Sequence, residues 1–175
     1  MDKALLKKQK AGRNKFAIDC VIEELKVLQR LEHPNVLWLH EIIDDPKKDK
    51  LYLVTEWYKK GSLSKYIGKD MQPYFIDMLK ALYYCHNVAK VIHRDIKPDN
   101  IMLNHNDEAV LIDFGVSSQD SEMIESNMGT YMLFSPEMFG KDKVLGEKSD
   151  IWALGMTFYY LLVGYYPWKD AKNPL

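Results

Sequence analysis

"HRDIKPDN", residues 93–100, sets His93, Arg94 and Lys97 among the carboxylates of Asp95 and Asp99 and ends on the amide of Asn100. Asp95 and Asn100 stand five residues apart with Lys97 between them, and Pro98 prevents a regular helix interior. Thirteen residues past Asn100, Asp113 closes the apolar run "EAVLIDFG", residues 108–115. An acid, an amide oxygen and a second acid on neighbouring loops suit a hard divalent cation, which takes oxygen ligands and shares them with phosphate. Asp95 is equally suited to orient a hydroxyl nucleophile, while Lys97 offers charge to a transferring phosphoryl group.

The rest of the composition narrows the classes. A chain of 175 residues holds one ordinary domain or two small lobes. Its formal net charge of -1 gives no basic field for nucleic acid or an acidic membrane. Cys20 and Cys85 lie in helical apolar patterns without metal-ligand spacing, so reduced buried thiols and a reducing compartment are expected. Lysines 7, 8, 10 and 15 with Arg13 interrupt any secretory signal core. "IWALGMTFYYLLVGYYPW", residues 151–168, carries no charge over 18 residues, near the lower limit for a membrane span. Its Gly155, Gly164, Pro167 and polar-tipped Thr157 and tyrosines favour a buried core helix, with Asp150 as its cap.

Along the chain, residues 14–31 read as an amphipathic helix stopped before Pro34. Ala17, Cys20, Val21, Val27, Leu28 and Leu31 form its apolar stripe, and Glu24 interrupts it. A carboxylate there is costly unless a cation meets it. "VLWLHEII" and "KLYLVTEWY" read as strands joined by the turn "DDPKKD". Residues 71–86 repeat Met71, Tyr74, Phe75, Met78, Leu79, Leu82 and His86 at helical spacing. "NIML" and "EAVLIDFG" make two short strands around "NHND", and the polar residues 116–128 form a long loop.

With these runs in order, the chain resembles a eukaryotic protein kinase. "HRDIKPDN" is similar to the catalytic loop, "DFG" to the metal-binding motif, "SPE" at 135–137 to the Ala-Pro-Glu motif, and "DIWALG" to the start of the large lobe's central helix. The resemblance implies an α+β, two-lobed fold. Residues 1–57 would form a small-lobe remnant with β-strands, helix C and hinge; residues 58–175 would form a mainly helical large lobe without its last helices. It implies ATP and Mg2+ as cofactors, Asp95 as catalytic base and Lys97 as the γ-phosphate contact. Asn100 and Asp113 would hold magnesium. Glu24 would be the helix-C carboxylate and Lys3, in "KALLKKQK", its lysine partner. Thr55 would be the gatekeeper, the backbone of Glu56 and Tyr58 would meet adenine, and Met102 would lie beneath it. Leu28, Leu39, His93 and Phe114 would stack as a spine between the lobes. Arg94 would grip an activation-loop phosphate, and Asp150 would anchor the catalytic loop.

"DIKPDN" resembles serine/threonine kinases. "HPNVLWLHEIIDDPKKDKLYLVTE" and "DFGVS" resemble the calcium/calmodulin-dependent protein kinase kinase branch. The implied function is ATP-dependent phosphorylation of protein serine and threonine in cytoplasmic signalling. A protein substrate and an upstream regulator or activating partner are implied, with no nucleic acid and no membrane span. The sequence also departs from the family. No glycine-rich phosphate loop precedes Lys3, helices that normally follow the central one, including the source of an arginine for Glu137, are missing, and Asn127 stands where a phosphorylatable threonine is common. Ser117, Ser118, Ser121 and Ser126 remain candidate modification sites, and Asp120, Glu122 and Glu125 supply fixed charge. A chain shortened at both ends, marginally stable and weakly active, is the expectation. The alternative is an inactive, pseudokinase-like nucleotide-binding or interaction module.

Overall fold

The structure, a computed structural model, describes residues 1–10, 16–117, 130–139 and 146–168. The expectations for Ser118, Asp120, Ser121, Glu122, Glu125, Ser126 and Asn127 lie outside the described residues. A short helix α1 (Lys3–Lys8) leads to α2 (Ala17–Leu28), an antiparallel pair β1 (Leu39–Asp44) and β2 (Leu51–Thr55), and then α3 (Gln72–Tyr83). A second antiparallel pair, β3 (Ile101–Leu103) and β4 (Ala109–Leu111), precedes the long helix α4 (Gly146–Val163). Together these make a mixed α+β architecture, with one strand pair beside α1 and α2 and a second among the later helices.

Local chemistry accounts for these elements. Asp19 reaches back to the Phe16 N–H at 2.9 Å and satisfies one of the unpaired donors at the start of α2. Pro73 sits in the first turn of α3, where a missing N–H does no harm. Asn104 turns the chain between β3 and β4, its Oδ1 accepting the N–H groups of Asn106 and Glu108, each at 2.9 Å.

Two backbone stitches join the small and large parts. Leu37 N–H donates to Leu111 O at 2.8 Å and Leu111 N–H donates to Asn35 O at 2.9 Å. Around them Leu28, Leu31, Val36 and Leu39 enter the same hydrophobic cluster as Leu82, Cys85, Ile96, Leu111 and Phe114. Burial of each such aliphatic side chain contributes roughly 1.5–3 kcal/mol.

Three expectations change. Lys3 opens a helix capped by the Asp2 carboxylate, which accepts the Leu5 N–H at 3.0 Å. Its ammonium pairs with Asp44 at 2.6 Å and donates to Asp45 O at 3.2 Å. The expected Lys3–Glu24 pair therefore does not form, because the β1–β2 turn offers oxygens next to α1. Asp150 is not a helix cap: α4 starts four residues earlier, at Gly146, so Asp150 lies within the helix and is buried. Nor is α4 buried all round. Ala153, Leu154, Thr157, Phe158 and Leu161 face the core, whereas Ile151 and Leu162 are 50% and 56% exposed. Among the described residues no helix is long and apolar enough to cross a membrane.

Candidate active site

The catalytic-loop residues converge on one carboxylate. Asp95 Oδ2 accepts from Lys97 Nζ at 2.5 Å and from Asn100 Nδ2 at 3.0 Å, and Oδ1 accepts from the Thr130 hydroxyl at 3.0 Å. Burial pulls the Asp95 carboxyl upward, but the hydrogen bonds from Lys97, Thr130 and Asn100 outweigh it and hold the group below its ordinary value. Asp95 is therefore an anion at neutral pH with three directed donors.

Asn100 is buried and donates its amide N–H groups to the Asp95 carboxylate and to Asp95 O, the latter at 2.9 Å. Its backbone carbonyl accepts the Ile112 N–H at 2.9 Å, which brings the chain just before Asp113 beside it. With the amide nitrogen turned to Asp95, the Asn100 side-chain oxygen is the atom that could ligate a metal. Asp113 itself is exposed and sits at φ 64, in the left-handed region that few non-glycine residues adopt. Among the described residues no group of three or more His, Cys, Asp or Glu gathers as a metal cage. An amide oxygen and one carboxylate fit magnesium, which keeps waters and shares phosphate oxygens instead of taking an all-protein shell.

Behind the loop lies a buried polar lattice. Asp150 Oδ2 accepts the His93 N–H and His86 Nε2–H, both at 2.8 Å, and Oδ1 accepts the Arg94 N–H at 2.8 Å. Arg94, at φ 72, is thereby held in a strained backbone conformation. His93 is fully buried, and burial above all keeps its pKa below the ordinary value and the ring neutral. Ile112 O can only accept, so Nε2 carries the proton at 2.9 Å from it, and Nδ1 accepts the Asp95 N–H at 3.2 Å. The His93 ring packs edge-on to Phe114, with centroids 4.7 Å apart. Leu28, Leu39, His93 and Phe114, the four spine candidates, are all buried.

The adenine-side candidates sit on one path. Tyr58 is buried, which, together with Glu56, pushes its phenol up to about 12. Its carbonyl accepts the Gly61 N–H at 3.0 Å. Glu56 is half-buried and stands 3.6 Å from His105. Gly61 O accepts the Leu103 N–H at 3.0 Å and Ser62 bridges Met102, so the chain after the hinge is laid over the half-buried Met102.

Glu24 is brought to this site without a cation. A Cβ on Gly115 would lie 3.3 Å from Asp113 Oδ1 and 3.6 Å from Glu24 Oε2, so the two carboxylates share one corner. Burial first, then the Asp113 charge, raises the Glu24 pKa, and among the described residues no ion pair compensates it.

Sequence patterns missed two long-range contacts, one of them within the lattice. The periodicity places His86 on the apolar stripe of α3, but the helix widens into a π-turn at Tyr84–Ala89 and delivers His86 to Asp150. Tyr84 accepts the Glu32 N–H at 2.7 Å beyond the end of α2, a contact across 52 residues. Neither carries a local signal, since both partners are distant in sequence.

The comparisons agree with this geometry. The protein kinase domain family matches residues 2–174. The chain is 32% identical over 160 residues to the probable serine/threonine-protein kinase MARK-C of Dictyostelium discoideum, covering 86% of this chain and 21% of that protein. It is 32% identical to the CBL-interacting serine/threonine-protein kinase 20 of Arabidopsis thaliana, covering 89% and 37%. It is 35% identical to the calcium/calmodulin-dependent protein kinase kinase of Caenorhabditis elegans, covering 87% and 30%. The chain thus spans well under half the length of these relatives. An ionised Asp95 on a Lys97–Asn100 loop, set against a match over nearly its whole length, shows that the chain belongs to the protein kinase family.

Proposed function

We propose that this protein transfers the γ-phosphoryl group of ATP to serine and threonine hydroxyls of protein substrates in cytoplasmic signalling. The observation that carries this reading is the Asp95 carboxylate, held ionised by Lys97, Asn100 and Thr130. Asp95 accepts the proton of the acceptor hydroxyl, and the Thr130 hydroxyl at 3.0 Å shows that a hydroxyl fits against Oδ1. Lys97 presents positive charge beside the transferring group. Members of the family use ATP with a divalent metal; bound here, magnesium would neutralise phosphate charge and be held by Asn100 and Asp113. Bound ATP would have its adenine bordered by backbone atoms of Glu56 and Tyr58 and by the Met102 side chain, near the boundary between residues 1–57 and 58–175.

The finer placement is the calcium/calmodulin-dependent protein kinase kinase branch, and an upstream regulator or activating partner goes with it. The stretch "HPNVLWLHEIIDDPKKDKLYLVTE" and the 35% identity to the Caenorhabditis elegans relative support it.

Two substitutions separate the roles. Asp113→Ala is expected to remove most magnesium-dependent binding of a fluorescent ATP analogue. Asp95→Ala is expected to keep that binding and lose phosphate transfer to mixed peptides, whose wild-type product is phosphoserine and phosphothreonine. Equal loss of binding in both variants, or dominant phosphotyrosine, defeats the assignment.

A further inference from the structure

The two oxygens of the Asp95 carboxylate have different partners. Oδ2 is committed to Lys97 Nζ at 2.5 Å and Asn100 Nδ2 at 3.0 Å. Among the described residues the side-chain donor to Oδ1 is the Thr130 hydroxyl, at 3.0 Å. Oδ1 is therefore the oxygen free to take the proton of an acceptor hydroxyl, and a hydroxyl of this same chain already stands there. Any hydroxyl from a substrate has to displace it.

The contact is anchored by the fold. Thr130 is half-buried, and its carbonyl accepts the Leu133 N–H at 2.9 Å in the short turn Tyr131–Leu133. Leu133 and Phe134 are then 4% and 7% exposed, and the Ser135 and Ser149 hydroxyls bond at 3.2 Å, which ties the segment to α4. Thr157 of α4 in turn donates to Ile96 O at 3.1 Å, next to Asp95. One helix thus holds both the loop that carries Asp95 and the segment that carries Thr130. Well-oriented groups on one chain react as though present at about 10⁵ M or more, so a hydroxyl held in this way competes strongly with any free peptide.

We propose that Thr130 is an intramolecular phosphoryl acceptor, and that the chain, by modifying itself at this residue, closes its own acceptor seat. The inference rests on Asp95 acting as the base for transfer from ATP. Thr130 Oγ1 bonds to the γ-phosphorus as the bond from that phosphorus to the β-phosphate oxygen breaks. The leaving electron pair stays on ADP, and the hydroxyl proton passes to Asp95 Oδ1. The product removes the Oδ1 donor and sets a phosphate of about -1.5 to -2 charge beside the carboxylate. A second hydroxyl then meets a filled seat, and transfer to other substrates falls as Thr130 is modified.

The test uses the full chain, treated with phosphatase and then incubated with ATP and magnesium. Tandem mass spectrometry locates the phosphate while transfer to mixed serine and threonine peptides is followed in parallel. Phosphate is expected on Thr130, with a rate constant that does not change when the protein is diluted. Peptide transfer should decline in proportion to the modified fraction. Thr130→Ser should still be modified at residue 130, and Thr130→Val should show no such decline from its own starting rate. Asp95→Asn should slow modification of Thr130 by at least about 100-fold. Peptide phosphorylation without phosphate on Thr130 overturns the proposal and leaves the Asp95 reading standing; absence of both overturns that reading as well. A rate constant that rises with protein concentration, or undiminished peptide transfer by the modified protein, also overturns the proposal.

Discussion

Asp150 and His86 meet across 64 residues of chain through a 2.8 Å hydrogen bond in a site almost closed to water. The same carboxylate accepts the N–H groups of His93 and Arg94, so one buried anion positions the loop that carries Asp95. Removing it leaves three donors without their acceptor. Asp150→Ala is expected to destabilise the protein by about 3–5 kcal/mol, a large part of a typical 5–15 kcal/mol total. Urea unfolding followed by circular dichroism measures this, and a change under about 1 kcal/mol would contradict the anchoring role.

Thr130 tunes the proposed base, Asp95. Its hydroxyl donates to Asp95 Oδ1 at 3.0 Å and helps keep the carboxyl below its ordinary value. Thr130→Val removes that donor, so the Asp95 pKa should rise. Because the proposed base would act in its ionised form, the acid limb of the kcat/KM profile should move to higher pH. Thr130→Ser should restore the wild-type limb; coincident profiles for all three proteins would disprove the link.

Glu24 and Asp113 repel. The folded-state pKa of Glu24 is raised, chiefly by burial and then by Asp113, so the native state holds that proton more tightly than the unfolded chain does. The penalty is absent below the ordinary carboxylate pKa and fully present above the raised one. Glu24→Gln should therefore raise Tm near about pH 8 by no more than roughly 2–4 °C, and the gain should vanish as pH falls below the ordinary value. A gain that persists in acid would point to packing instead of charge.

The two thiols should differ in reactivity. Cys85 is fully buried, and burial, then Asp150, pushes its thiol up to about 12, whereas Cys20 is half-buried. Only the thiolate attacks a disulfide reagent. Native protein near neutral pH should react rapidly at one thiol and, in denaturant, at two. Rapid reaction of Cys85 in the native state would mean that α3 and α4 separate readily there.

Helices α2, α3 and α4, the two strand pairs and the loop that gathers Asp95, Lys97 and Asn100 were legible in the sequence because each is written locally. The apolar stripe of α2 follows helical spacing, β1 and β2 flank a polar turn, and Asp95, Lys97 and Asn100 meet within six residues. Nearby chemistry of that kind follows from turn geometry and from Pro98. What the tertiary structure alone decided are the partners reached across long stretches of chain. Lys3 closes on Asp44 instead of Glu24, a difference of 41 residues. His86 leaves its apolar stripe for Asp150, which is an interior helical residue and not a cap. Glu24 faces Asp113, and Tyr84 holds the backbone beyond α2. Periodicity specifies which face of an element is apolar, but an ion or hydrogen-bond partner is chosen by which elements pack together. That choice is made by the core of Leu28, Leu82, Ile96, Leu111 and Phe114, whose nondirectional burial brings the polar groups within reach of one another.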